Sequence, residues 1–155
     1  MIRRARHTDW AAISRLLDQL EYPGTSSFLE ERLARLLDDP AEALLVWEGP
    51  PSASGAGSSP TASTSASILG FLSLHFIPQI ALQGDFARIS YFAVDETARS
   101  EGIGRQLEEY ATALARERGC ALLEVHCHTR RAKAHAFYFR QGYEESPKYL
   151  VKKLE

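Results

Sequence analysis

The chain has 155 residues, is 45% hydrophobic and 25% charged, and carries a formal net charge of −2. That composition suits one domain with a sizeable core, and it supplies neither the basic footprint of a nucleic-acid binder nor a basic face for an anionic membrane. No apolar run approaches the ~20 residues of a membrane span, the start Met1-Ile2-Arg3-Arg4-Ala5-Arg6 has no secretory h-region, and two cysteines, Cys120 and Cys127, make no disulfide framework, so a reducing cytoplasm is the expected compartment.

Residues 2–6 are a short first strand. Thr8 or Asp9 can cap a helix whose apolar positions Ile13, Leu16, Leu17 and Leu20 recur at helical spacing. Tyr22-Pro23-Gly24-Thr25 breaks it. Ser27 and Glu30 have capping-box spacing for a second helix with Leu29, Leu33, Leu36 and Leu37 inward. Residues 43–47 read as a strand. Residues 49–67 are almost entirely Ser, Ala, Gly, Pro and Thr. Such a segment buries too little apolar surface to offset its ordering entropy, so it reads as a flexible loop inside one domain spanning 1–155. Strands follow at 68–77 and 86–94. A helix over 102–118 places Ile103, Leu107, Tyr110, Ala111 and Leu114 on one face and ends at Gly119. A strand over 121–127, a helix over 129–141 with Ala134, Phe137 and Tyr138 inward, and a last strand at 149–151 complete an α+β domain with a mixed central sheet.

The segment Val94-Asp95-Glu96-Thr97-Ala98-Arg99-Ser100-Glu101-Gly102-Ile103-Gly104-Arg105 carries the strongest chemistry. A strand ends, and a loop with two glycines opens an amphipathic helix. The free N–H groups of a helix's first turn and its dipole favour a bound anion, here a pyrophosphate. Arg99 and Arg105 can add charge-assisted bonds. A lone Gly-x-Gly is more often a turn that needs glycine for its geometry. The segment is neither a dinucleotide fingerprint, which needs a third glycine, nor a P-loop, since no Lys-Ser/Thr follows.

Arg99-x-x-Gly102-x-Gly104 after a strand ending at Val94 resembles the acetyl-coenzyme A signature of the GNAT superfamily of N-acetyltransferases. Arg131-x-x-Ala134-His135-x-Phe137-Tyr138-x-x-x-Gly142-Tyr143 resembles that superfamily's second segment, in the right order and at the right spacing. Within it, the run from Arg131 through Ser146, with Leu74-His75 upstream, looks closest to the aminoalkylphosphonate N-acetyltransferases. The resemblance implies a GNAT fold, with helices on both faces of the sheet and two splayed parallel strands, 89–94 and 122–127, that admit the pantetheine arm. Backbone groups of Phe92, Ala93 and Val94 would bond the arm. Amides of Arg99, Ser100, Glu101, Gly102, Ile103, Gly104 and Arg105 would hold the pyrophosphate. His128, Arg131, Ala134 and Phe137 would line the cofactor site. Tyr138 matches the tyrosine that protonates the departing thiolate, against the plainer reading of a core aromatic.

The acceptor amine must lose a proton before it attacks. Many relatives use a glutamate for this; the matching position is Tyr91, a poor base at neutral pH. His75, His126 and a water chain ending at Tyr91 are the candidates, with His75 slightly ahead. Glu124, His126 and His128 alternate along one strand and share a face, a metal set only as a minority reading. The resemblance therefore implies acetyl transfer from acetyl-coenzyme A to a primary amine of a small molecule, by direct attack in a ternary complex. Acetylation of a protein or peptide amine and a non-catalytic acetyl-coenzyme A-binding module stay open. Homodimers are common in such families.

Overall fold

A computed structural model of the chain describes residues 1–50, 67–146 and 150–154. In chain order the elements are β1 (Ile2–Arg4), α1 (Trp10–Gln19), α2 (Leu29–Asp38), β2 (Glu42–Glu48), β3 (Ile68–Ile77), β4 (Phe86–Val94), α3 (Ile103–Glu117), β5 (Leu122–Val125) and α4 (Ala132–Arg140), with short 3-10 turns at His7–Asp9, Thr25–Ser27 and Glu96–Ala98. The strands form one sheet in the order β1-β2-β3-β4-β5. The first three pairings are antiparallel and β4 pairs β5 in parallel. The mixed α+β sheet read from the sequence is present.

Both faces of the sheet are covered, which is why β2 and β3 are apolar almost throughout rather than strictly alternating. On one face Leu45, Leu72, Leu74, Ala87 and Ile89 pack with Ile103, Leu107, Ala111 and Ala115 of α3. On the other, Leu44, Val46 and Phe71 meet Ile13, Leu16 and Leu17 of α1 and Leu29 and Leu33 of α2. A buried bond of 2.9 Å between the Ser14 and Thr25 hydroxyls ties α1 to the turn before α2. Among the described residues, no helix is long and apolar enough to cross a membrane.

Four local expectations are corrected. Asp9 stands at the N-terminal cap of α1 but makes no side-chain capping bond; its carboxylate takes the Arg3 guanidinium and the Arg6 amide instead. The Ser27–Glu30 capping box does not form, because the Ser27 hydroxyl donates back to the Gly24 carbonyl and α2 starts at Leu29. Tyr110 is exposed on α3: it sits at the rim of the helix's apolar arc, where a long ring reaches water. Leu150 and Val151 are exposed and belong to no strand. Tyr149 and residues 51–66, the bulk of the Ser-rich segment, lie outside the described residues. The ends of that segment meet: the Gly49 amide donates to the Ser67 carbonyl at 2.8 Å.

Candidate active site

The ladder between β4 and β5 runs from Phe86 opposite Leu122 to Ile89 opposite Val125 and stops. At the same level β4 is bulged. Leu74 pairs Ile89 and Ser73 pairs Tyr91, so Ser90 is the extra residue. A bulge bends its strand and raises the local twist, and β4 turns away from β5 where β5 ends. Among the described residues, the rest of β4 keeps only β3 as a partner. The Asp95 amide donates to Leu69 at 2.8 Å. Amides alternate sides along a strand, so that of Ala93 also faces β3, and those of Phe92 and Val94 face the gap. The Val94 carbonyl is already approached from the gap by Arg99 Nε at 3.5 Å.

The loop after β4 is fixed by Asp95, which is 4% exposed. Its Oδ1 accepts from the Thr97 hydroxyl at 2.6 Å and the Thr97 amide at 3.0 Å, and its Oδ2 pairs with the Arg15 guanidinium of α1. The Thr97 hydroxyl foremost, with Arg15 behind it, outweighs burial and holds this carboxyl well below the usual carboxylate range. Gln19 reinforces the same corner by accepting the Glu96 amide at 3.0 Å. The chain then makes two left-handed steps, Ser100 at φ 70° and Gly102 at φ 80°. Gly102 caps α3. The side chains of Arg99, Ser100 and Glu101 are exposed, while Ile103 is buried beneath them. The first-turn amides of Ile103, Gly104 and Arg105 have no helical acceptor. Arg105 pairs with Glu109 one turn on, at 3.1 Å, in solvent. A Cβ at Gly102 would meet only the end of Gln106, at 3.9 Å. This is an open cradle of amides at a helix N-terminus, and it fits a diphosphate.

From the other side of the gap comes α4. Phe137 sets its ring edge-on to Phe92 with centroids 5.8 Å apart, and both rings lie against Gly104. Tyr138 packs between Phe137 and Tyr143, at 5.3 and 5.2 Å. Burial pushes the Tyr138 phenol up, with Cys127 and Glu108 adding to it. At the start of α4, His128 accepts the Arg130 amide on Nδ1 at 3.2 Å and its carbonyl meets His135 Nε2 at 3.0 Å. Arg131 does not point free into the gap. Its guanidinium donates to the Leu20 carbonyl at 2.8 Å and reaches Glu21 at 3.3 Å, beside an Arg130–Glu21 pair of 2.6 Å. Glu21 itself is left-handed, at φ 71°. Ala134 is half-buried on the same helix.

His75 and Tyr91 lie on the α1/α2 side of the sheet. Tyr91 meets Tyr22 edge-on at 5.3 Å and is 42% exposed. His75 belongs to a row across four strands, Glu42, His75, Arg88 and Glu124, each opposite the next. Its Nδ1 is 2.6 Å from Glu42 Oε1, a close polar contact without the alignment of a hydrogen bond. Burial pushes the Glu42 carboxyl up, and His75 partly offsets it. Glu124 is held by Arg88 at 2.6 Å. Among the described residues, no group of three His, Cys, Asp or Glu is placed to hold a metal ion. Three residues that the sequence reading passed over also shape the site: Asp95 at the loop, Glu21 at the α4 N-terminus, and Glu108, a carboxylate on α3 that is 4% exposed.

The model of the acetyltransferase (GNAT) family matches residues 10–143. An aminoalkylphosphonate N-acetyltransferase of Salmonella typhimurium LT2 is 32% identical over 87 residues, 56% of this chain and 56% of that protein. The matched stretch thus spans about half the length of that curated relative. Solved structures of a transcriptional regulator from Bacillus halodurans C-125 and of glucosamine-6-phosphate N-acetyltransferase from Arabidopsis thaliana share the fold. The first has a TM-score of 0.78 at 23% identity, covering 99% of both chains. The second has a TM-score of 0.77 at 19% identity, covering 100% of this chain and 98% of the other. With a family match running from α1 past the end of α4, and with the gap, the amide cradle and the α4 aromatics in one place, the chain belongs to the acetyltransferase (GNAT) family.

Proposed function

We propose that this protein transfers acetyl from acetyl-coenzyme A to a primary amine of a small molecule, by direct attack within a ternary complex. One observation carries the reading: Phe92 of the open β4 edge, Gly104 of the α3 N-terminus and Phe137 beside Tyr138 meet at one point. The Phe92 and Val94 amides would bond the pantetheine arm, and the amides from Ser100 to Arg105 would take the diphosphate. The bound cosubstrate supplies an acetyl thioester whose carbonyl carbon a neutral amine attacks, with the thiolate leaving. Tyr138 is the proton donor to that thiolate. Its raised pKa keeps the phenol protonated throughout the neutral range.

The acceptor enters from the α1/α2 side, where Tyr22, Tyr91 and His75 lie. His75 is the base, with its Nδ1 set beside Glu42. Tyr91 stands two positions away on the neighbouring strand and relays by water. The likeness to an aminoalkylphosphonate and a glucosamine-6-phosphate N-acetyltransferase supports a small amine as acceptor. A thiol-release assay with acetyl-coenzyme A tests this against a panel of aminoalkylphosphonates, aminosugars, polyamines and a lysine peptide. Turnover of one small amine, much reduced in Tyr138→Phe, is expected. Turnover of the peptide alone replaces the acceptor class, and failure to bind acetyl-coenzyme A removes the reading.

A further inference from the structure

We infer that Glu108 is a positioning residue for Tyr138, acting through the hydroxyl of Tyr143. The inference rests on Tyr138 as the thiolate's proton donor and extends that reading to a residue on another helix.

Burying a carboxylate on the inner face of a helix is costly unless it is hydrogen-bonded. Glu108 is 4% exposed. Two hydroxyls converge on its Oε1: Thr112, one turn along α3, at 2.8 Å, and Tyr143, from beyond the end of α4, at 3.1 Å. Thr112 alone would tie the carboxylate to its own helix. Tyr143 makes it a tie between helices, 35 residues apart in the chain.

Tyr143 is coupled to Tyr138 in two further ways. Helix α4 ends in a Schellman turn. Gly142 is left-handed at φ 90°, its amide donates to the Phe139 carbonyl at 3.1 Å, and the Tyr143 amide donates to the Tyr138 carbonyl at 3.1 Å. The same turn brings the Tyr143 ring edge-on to the Tyr138 ring, centroids 5.2 Å apart. The backbone and ring of Tyr138 are thus both held by Tyr143, whose far end is fixed to α3 by Glu108. A phenylalanine at 143 would pack the ring but leave the tie open. The device sets the proton donor against the helix whose N-terminus cradles the diphosphate.

The readout is the Tyr138 signal of ligand-free protein labelled with 13C at tyrosine Cζ, assigned by its loss in Tyr138→Phe. A single sharp signal is expected in the wild type and in Glu108→Gln, which keeps an acceptor oxygen. Tyr143→Phe and Glu108→Leu are expected to shift or split it. With the best amine from the panel, both should lower kcat about tenfold with KM for acetyl-coenzyme A within about twofold, and the double variant should be no worse than either single one. A Tyr138 signal unmoved in Tyr143→Phe and Glu108→Leu overturns the inference, as does an equal loss of kcat in Glu108→Gln. If Tyr138→Phe retains full kcat, the proton-donor reading itself falls; if only the Glu108 and Tyr143 variants retain it, that reading stands and the positioning role is gone.

Discussion

Gly104 faces Phe137: a Cβ added to Gly104 would sit 3.6 Å from the Phe137 ring and 3.7 Å from that of Phe92. Those are ordinary contact distances, so one methyl fits. A larger side chain would push Phe137, and Tyr138 with it, out of place. Gly104→Ala should stay within about twofold of wild type, whereas Gly104→Leu should lower kcat/KM by about a hundredfold. Steady-state kinetics of the two variants decide it; equal activity would mean that the rings yield freely.

Ser100 and Gly102 share a left-handed backbone but differ in the cost. A side chain there costs roughly 1–2 kcal/mol that glycine avoids. Ser100→Gly should therefore raise stability by up to about 1 kcal/mol, and Gly102→Ala should lower it by about 1–2 kcal/mol. Urea denaturation gives both signs.

Asp95 should govern part of the acid limb of stability. Its carboxyl is lowered in the fold, chiefly by the Thr97 hydroxyl and then by Arg15. The stability it contributes is complete above the unfolded carboxylate value of ~3.9 and is lost as pH falls from there toward the folded value. Asp95→Asn should destabilise the protein by about 1–3 kcal/mol at neutral pH and flatten the fall of Tm below pH ~4. A variant as acid-sensitive as the wild type would place that limb elsewhere.

Tyr138 titrates in the opposite sense. Burial raises its phenol, so the proton stays on as pH rises through the ordinary tyrosine value. The pH profile of kcat should show no alkaline fall below pH ~10. Tyr138→Phe should lower kcat by about a hundredfold at every pH below that. An alkaline limb centred near pH ~8 would identify a different acid.

The strands and the site were legible to different degrees. β3 and β4 have the bounds read from the sequence, 68–77 and 86–94: β3 is apolar almost throughout and mostly buried, and β4 begins and ends in apolar residues although Ser90 and Tyr91 stay exposed. The two expected helix caps failed for a local reason: Arg3 and the Gly24 carbonyl offered Asp9 and Ser27 better partners than the helix amides did. No sequence pattern prices such a competition. The strand expected to end at 127 stops at Val125, since the bulge at Ser90 removes its neighbour, and nothing in the run Ile89-Ser90-Tyr91-Phe92 marks where the extra residue falls. The amide cradle and the α4 aromatics could be found because glycine spacing and a helix start are local. Glu108 was missed because the apolar stripe was traced through Leu107 and Ala111. On the wheel, Glu108 falls on the arc of Gly104, Ala111 and Ala115, where a lone carboxylate among small residues was the available signal.

The Gly49 amide and the Ser67 carbonyl are hydrogen-bonded, so β2 and β3 are joined by a bond outside residues 51–66. Whatever those residues do, β2 and β3 do not depend on them for register. Loop-closure cost grows only with the logarithm of length, so cutting the connection to a quarter would return about 1.2 kcal/mol. The junction is therefore a natural place to open the chain: new termini, an affinity handle or a fluorescent reporter set there should leave the bulge at Ser90, and the gap it creates, untouched.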